Sequence, residues 1–219
     1  LGHPGGKQDQ YAAVFGGFNL FEFNGGNNVN VKPLVLNKNT INELRENLLL
    51  FFLFPRTMAA SGEIIKDQIK VFSSVQKFEP VLKAKALAYE TNKILNSGNL
   101  SEFAELLHIN WEEKKKFSRL ITNQKIDNFY EQIRKQGALA GKIIGTGGGG
   151  HMLVFCSPLN RIKVIKKAES LGAVNIDFGL AEEGLTTWIS DWYKDENEDL
   201  GGLSKPPKGL KASLRSWFD

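Results

Sequence analysis

The sequence has few of the residues that build disulfide frameworks and metal sites: one cysteine and three histidines among 219 residues. A single cysteine excludes an internal disulfide and fits a reducing compartment. Cys156 lies inside an apolar, strand-like run, which predicts a small core residue. The histidines, His3, His108 and His151, lack the spacing typical of metal ligands, so we predict no metal site among these residues.

Long hydrophobic runs are also missing. No apolar segment approaches the length that spans a bilayer, and no secretory signal is recognisable. These absences favour a soluble, cytoplasmic protein without a membrane partner. The formal net charge is +4. Its two basic stretches, residues 114–116 and 161–167, have helical spacing beside apolar positions, which predicts solvated helix faces rather than a nucleic-acid surface.

Glycine, by contrast, is concentrated in one segment, residues 145–150 with the sequence GTGGGG. Gly145, Gly147 and Gly150 formally satisfy a dinucleotide-binding pattern, but that pattern requires a strand before the loop and a helix after it. Short apolar runs with branched residues flank this loop on both sides, so we predict a hairpin of two strands. His151 stands where a Walker A loop has lysine. The bare backbone suits close approach to phosphate, and the alternative is a flexible hairpin tip.

A second glycine-anchored segment, residues 5–10 with the sequence GGKQDQ, opens an apparent helix. Asp9 therefore stands at the mouth of a helix, where free amide groups favour a negative charge. Spacing alone leaves two interpretations open: a carboxylate that acts on a bound ligand, and a helix-capping aspartate. Lys7, Gln8 and Gln10 flank it, as ligand contacts or as surface polar residues.

Apolar periodicity and turn residues predict a mixture of helices and strands. We expect helices over residues 8–15, 59–70 and 159–171, and around apolar stripes at 81–95, 100–111 and 126–133. Strands are expected over 18–23, 29–36, 48–54 and 173–178, and on both sides of the glycine loop. The stripes are typical of core rather than of a cofactor site. Together these elements predict an α+β layer arrangement.

Three separated segments resemble, in order, the GHMP small-molecule kinases: GGKQDQYAAVFGGFNLFEF from Gly5, FAELLHINWEEKKKFS from Phe103 and ALAGKIIGTGGGGHMLVF from Ala138. The chain is most similar to the kinases of D-glycero-D-manno-heptose 7-phosphate, with L-fucokinase as a near relative. The resemblance implies a two-layer α+β C-terminal domain over residues 39–190. Residues 1–38 would be the last elements of the N-terminal, ribosomal protein S5 domain 2-like domain, and residues 191–219 a polar, mobile tail.

The resemblance also implies the chemistry, which is transfer of a phosphoryl group from ATP to a sugar hydroxyl with Mg²⁺ as cofactor. Asp9 matches the family's catalytic aspartate. The expected phosphate-binding residues are Gly147, Gly148 and Gly149. Lys7 and Gln8 are expected beside the sugar or sugar phosphate. Because we expect the hairpin tip to lie outside the core, valine at Gly148 should impair turnover or ATP binding and leave the melting temperature little changed.

One departure from the family pattern concerns the end of the apolar strand 48–54. The heptose and fucose kinases usually carry Y-T-G-x-[ST]-R there, whereas this chain reads FPRTMA from Phe54. Arg56 can supply an equivalent cation in a shifted register, since arginine pairs bidentately with a sugar phosphate. The other interpretation is a solvent-facing arginine at a strand end.

Two family motifs have no counterpart in this sequence: an N-terminal substrate-binding segment and the P-x-G-x-G-L-G-S-S-type loop around the ATP phosphates. The family's magnesium ligands, a serine and a glutamate, belong to that absent half, so no metal ligand is assigned. We therefore predict the C-terminal portion of a longer kinase of heptose 7-phosphate, acting at the anomeric hydroxyl and inactive as these 219 residues alone. The alternative is a noncatalytic sugar-binding or partner-binding module derived from a GHMP kinase.

Overall fold

The computed structural model describes residues 6–72 and 79–187, and within these ranges the chain folds into seven helices and six strands. In chain order they are α1 (Gln8–Phe15), β1 (Asn19–Phe23), β2 (Val29–Pro33), α2 (Lys38–Asn47), β3 (Leu48–Phe54), α3 (Met58–Phe72), α4 (Glu79–Ser97), α5 (Leu100–Lys115), α6 (Gln124–Lys135), β4 (Ala138–Ile143), β5 (Gly150–Cys156), α7 (Arg161–Ser170) and β6 (Val174–Ile176). The predicted α+β class is confirmed. The predicted tail, residues 191–219, lies outside the described residues.

The main sheet has four antiparallel strands in the order β4-β5-β3-β6. Its central strand, β3, consists of seven consecutive apolar residues and pairs with β5 on one side and β6 on the other. Such a strand buries both of its faces, because helices cover the sheet on each side. Leu49 and Phe51 enter one buried cluster, and Leu48 enters a second.

Amphipathic helices cover the two faces of this sheet. Helix α6 buries Ile126, Phe129 and Ile133, which recur at helical spacing, against the face that carries Phe51. On the other face, buried residues of α2, α4 and α5 pack with one residue each of β4 and β5. These residues are Leu44, Leu95, Leu100, Ala104, Ala140 and Phe155. The arrangement fixes α5 beside β4, which positions the site described below.

The first three elements form a smaller unit. Strands β1 and β2 pair as an antiparallel hairpin, and Tyr11 of α1 packs edge-on against Phe21 and Phe23 at ring separations of 5.9 and 5.7 Å. Tyr89 of α4 donates a 2.9 Å hydrogen bond to the Glu22 carboxylate, which ties this hairpin to the rest of the chain. The domain boundary expected at residue 38 coincides with the start of α2 and stays a prediction.

Within the described ranges, no helix has both the length and the hydrophobicity that crossing a membrane requires.

Candidate active site

The described residues enclose a cavity of about 860 Å³ between α1, α3, α5 and the loop that joins β4 to β5. Its polar lining consists of Gln8, Asp9, Gln10, Ser61, Gln68, Asn110, Lys114, Lys142 and Thr146, and Ile65, Phe72 and Phe117 are among its apolar residues. This volume is in the range of small-molecule sites. The cavity brings the Asp9 segment and the edge of the glycine loop, far apart in sequence, to one place.

Asp9 lies in the first turn of α1 and faces this cavity as its only carboxylate among the described lining residues. The helix begins after Lys7, and no side chain of the described residues makes a capping hydrogen bond there. The capping interpretation of Asp9 therefore lacks its hydrogen bond. The carboxylate is exposed to the cavity, where it can meet a bound ligand.

The predicted hairpin around the glycine loop is confirmed, because β4 and β5 pair antiparallel with Ile143 opposite Met152. The loop itself is held by specific contacts. Arg56 donates to the Gly147 carbonyl, and Lys114 Nζ donates to the Gly145 carbonyl oxygen at 2.5 Å. The Gly148 amide donates to the Ile121 carbonyl at 2.7 Å. These bonds argue against the alternative of a flexible tip.

Gly147, Gly148 and Gly149 pack against the core. All three have positive φ angles, of 110°, 74° and 145°. A Cβ atom on Gly147 would lie 2.9 Å from Ile121 Cα, and one on Gly148 would lie 2.7 Å from Ile64 Cδ1. The premise that the hairpin tip lies outside the core is wrong, because the tip folds back onto buried residues such as Ile64 and Ile121. We therefore expect valine at Gly148 to lower the melting temperature.

The roles expected of these three glycines at ATP phosphates stay predictions. The loop residues that line the cavity are Gly145 and Thr146, which precede them.

Two lysines that sequence reasoning missed line the cavity. Lys114 Nζ donates to the carbonyl oxygen of Ile143 at 3.0 Å as well as to that of Gly145, and Lys142 donates to the Asn110 side-chain oxygen. Burial, followed by the charges of Lys142 and Arg56, lowers the pKa of Lys114 to about 7, and the Asp9 charge opposes that shift. Burial also lowers the pKa of Lys142.

The prediction that residues 114–116 form a solvated face is wrong for Lys114. Lys115 and Lys116 instead pair with Glu112 at 2.8 Å and with Glu113 at 2.9 Å. A signal was present, because Lys114 follows Trp111 by three residues and so shares the face of α5 that carries this buried tryptophan.

The three residues expected at the substrate have different surroundings. Gln8 lines the cavity. Lys7 Nζ donates to the Gly26 carbonyl at 3.2 Å and to the Asn27 side-chain oxygen at 2.8 Å, both in the turn between β1 and β2. Arg56 contacts the glycine loop through Gly147 rather than facing solvent. Their roles in substrate binding stay predictions.

Among the described residues, no histidine or cysteine lines this cavity. Cys156 is fully buried, which confirms the predicted core role, and burial raises the pKa of its thiol. His108 bonds to the Tyr130 hydroxyl at 2.8 Å, and His151 packs on the Phe52 ring. His3 lies outside the described residues. Over residues 6–72 and 79–187, no three His, Cys, Asp or Glu side chains group as metal ligands.

Comparison with known proteins matches this chain to a family of small-molecule kinases. Residues 89–174 match the family model described as GHMP kinases C terminal. The D-glycero-alpha-D-manno-heptose 7-phosphate kinase of Campylobacter jejuni is 30% identical over 189 residues, which cover 86% of this chain and 55% of that protein. The chain thus spans about half the length of the curated relative that it matches.

Two solved structures extend these matches. A D-glycero-D-manno-heptose 1-phosphate kinase from Bacteroides thetaiotaomicron is 28% identical, with a TM-score of 0.55 over 84% of this chain and 50% of that one. The L. major mevalonate kinase in complex with R-mevalonate has a TM-score of 0.59 at 20% identity, over 74% of this chain and 47% of that one. The second match shows a shared fold.

Proposed function

Because this chain carries the C-terminal domain of the GHMP kinases over residues 89–174, we propose that it belongs to an ATP-dependent sugar kinase. The proposed acceptor is the anomeric hydroxyl of D-glycero-D-manno-heptose 7-phosphate, the substrate named for the relative that is 30% identical. One observation carries the proposal. The carboxylate of Asp9 and the edge of the glycine loop line a single cavity of about 860 Å³.

Phosphoryl transfer depends on positioning and on neutralising charge more than on covalent help from the protein. In the proposed reaction the acceptor oxygen attacks the γ-phosphorus of ATP, the bond to the ADP oxygen breaks, and the hydroxyl proton passes to the Asp9 carboxylate. Gln8 and Gln10 are placed to orient the sugar from α1, since both line the same cavity. The glycines of the loop would approach the phosphates with backbone groups.

Magnesium does not fit the described lining residues by themselves, because Mg²⁺ prefers several oxygen ligands and Asp9 is the only carboxylate among them. We therefore assign no magnesium ligand in this chain and derive no step from the metal.

The first prediction tests the acceptor. The protein expressed from its complete gene, with ATP and heptose 7-phosphate, should release ADP and give a new ³¹P resonance whose coupling marks an anomeric phosphate. The matched control is the 1-deoxy analogue, which keeps the 7-phosphate and lacks the anomeric hydroxyl, and it should give no acceptor-dependent ADP. If the heptose phosphate binds but no sugar supports ADP release, the noncatalytic sugar-binding module is the better account.

A further inference from the structure

Lys114 and Lys142 place two ammonium groups on one wall of the cavity, and neither has a carboxylate partner among the ion pairs of the described residues. Their hydrogen-bond acceptors are neutral. Lys114 donates to the backbone carbonyls of Ile143 and Gly145, and Lys142 donates to the Asn110 amide oxygen.

Without an anion in the cavity, placing these two ammonium groups on one wall is energetically unfavourable. Both lysine side chains are partly buried, and a charge removed from water is unfavourable unless an opposite charge accompanies it. Burial first, and then the charge of Lys142, lowers the pKa of Lys114. The lone carboxylate of the described lining, Asp9, lies on the exposed α1 side. The cavity of about 860 Å³ that the two lysines and Asp9 line is large enough for a ligand that carries its own negative charge.

A hydroxyl group on the same wall of the cavity also lacks a partner. The Thr146 Oγ1 atom is buried and has no hydrogen-bond partner among the described residues, and Thr146 lines the cavity next to Gly145. Buried hydroxyl groups without a partner are uncommon in folded proteins. A ligand oxygen would supply the missing partner.

We propose that Lys114, Lys142 and Thr146 form an anion subsite that binds a phosphate group of the ligand opposite Asp9. The identification of the ligand as a phosphorylated one rests on the proposed function, whereas the affinity for a simple oxyanion does not. The phosphate can belong to the sugar or to the nucleotide. Both sources offer the same chemistry, a tetrahedral dianion that accepts charge-assisted hydrogen bonds from ammonium groups.

The subsite has a characteristic pH dependence. An anion binds the protonated form of Lys114, whose pKa in the free protein is about 7. Affinity should therefore fall as pH rises from 6 to 9, by up to about tenfold per pH unit above that pKa. The charged groups that face Lys114 are Lys142, Arg56 and Asp9. We attribute the slope in this interval to Lys114.

The test uses the protein expressed from its complete gene and sulfate as the probe, because sulfate does not titrate between pH 6 and 9. Calorimetric titration of Lys142→Gln should show affinity for sulfate weakened by about 10- to 100-fold, which corresponds to one lost charge-assisted bond. Lys142→Arg should restore much of it. The matched control is Lys166→Gln, which removes one exposed positive charge on α7 outside the cavity lining and should bind sulfate as wild type does.

Three further ligands identify the source of the phosphate. If the sugar supplies it, Lys142→Gln weakens binding of heptose 7-phosphate and leaves binding of unphosphorylated heptose and of ATP unchanged. If the nucleotide supplies it, ATP binding weakens instead. Each result supports the subsite, even if the protein phosphorylates no sugar. A folded Lys142→Gln protein that binds sulfate as tightly as wild type would overturn the proposal.

Discussion

In the proposed sugar kinase, Asp9→Asn should reduce turnover by about 10²- to 10⁴-fold, the usual contribution of a positioned proton acceptor. Asparagine has nearly the same size and keeps a side-chain oxygen, so it can occupy the start of α1 as aspartate does. It cannot take the proton that the acceptor hydroxyl loses as its oxygen attacks phosphorus. Since Asp9 is exposed and makes no capping hydrogen bond among the described residues, the melting temperature should stay close to that of wild type.

A matched control separates this loss from a general effect of removing a charge at a helix start. Asp127 also lies in the first turn of a helix, α6, but it accepts a 2.8 Å hydrogen bond from Thr122 and does not line the cavity. Asp127→Asn should therefore keep wild-type turnover. The measurements are steady-state ADP release and a thermal melt of both variants. Wild-type turnover in a folded Asp9→Asn enzyme would remove Asp9 from the mechanism.

Much of the fold was predictable because the determining signals are local. Seven consecutive apolar residues predicted β3 at its observed bounds, because the run has the length of a strand and Pro55 ends it. Likewise, the apolar runs on both sides of the glycine loop predicted the β4–β5 hairpin and excluded a strand-to-helix nucleotide loop. The start of α5 is also fixed locally, because the Asn99 side chain accepts a hydrogen bond from the amide of Glu102, three positions on, at 3.3 Å.

The candidate site was predictable only in part, because long-range packing decides what its polar residues face. Lys142 lies two residues after Ala140 on β4, so it shares the face that packs on α5, where it meets Asn110. The sequence period shows the shared face, but not which helix covers it. For the same reason, the sequence wrongly predicted that Lys114 lies on a solvated helix face. Its cavity exists only because the hairpin and α5 lie side by side.

The contacts of the loop glycines with the core also depend on long-range packing, so the sequence did not show them. Substitution of one of these glycines should have a large effect on stability. Gly147→Ala should lower stability strongly, because φ at this position is 110° and an added Cβ would lie 2.9 Å from the Cα of Ile121, a backbone atom that cannot move aside. Gly150→Ala, in the same loop, is the matched control. Its φ of 80° is also positive, but nothing lies within 4 Å of the added Cβ.

Both variants carry backbone strain of about 1–3 kcal/mol. Only Gly147→Ala adds overpacking, which costs about 1–3 kcal/mol more and should lower its melting temperature by about 2–12 °C beyond that of Gly150→Ala in a chain of this size. Thermal melts of the two variants without ligand measure this difference. Equal melting temperatures would mean that the loop does not rest on Ile121. The reason for glycine at these positions would then be flexibility or the close approach of a phosphate. The tip would be free to move in the absence of ligand.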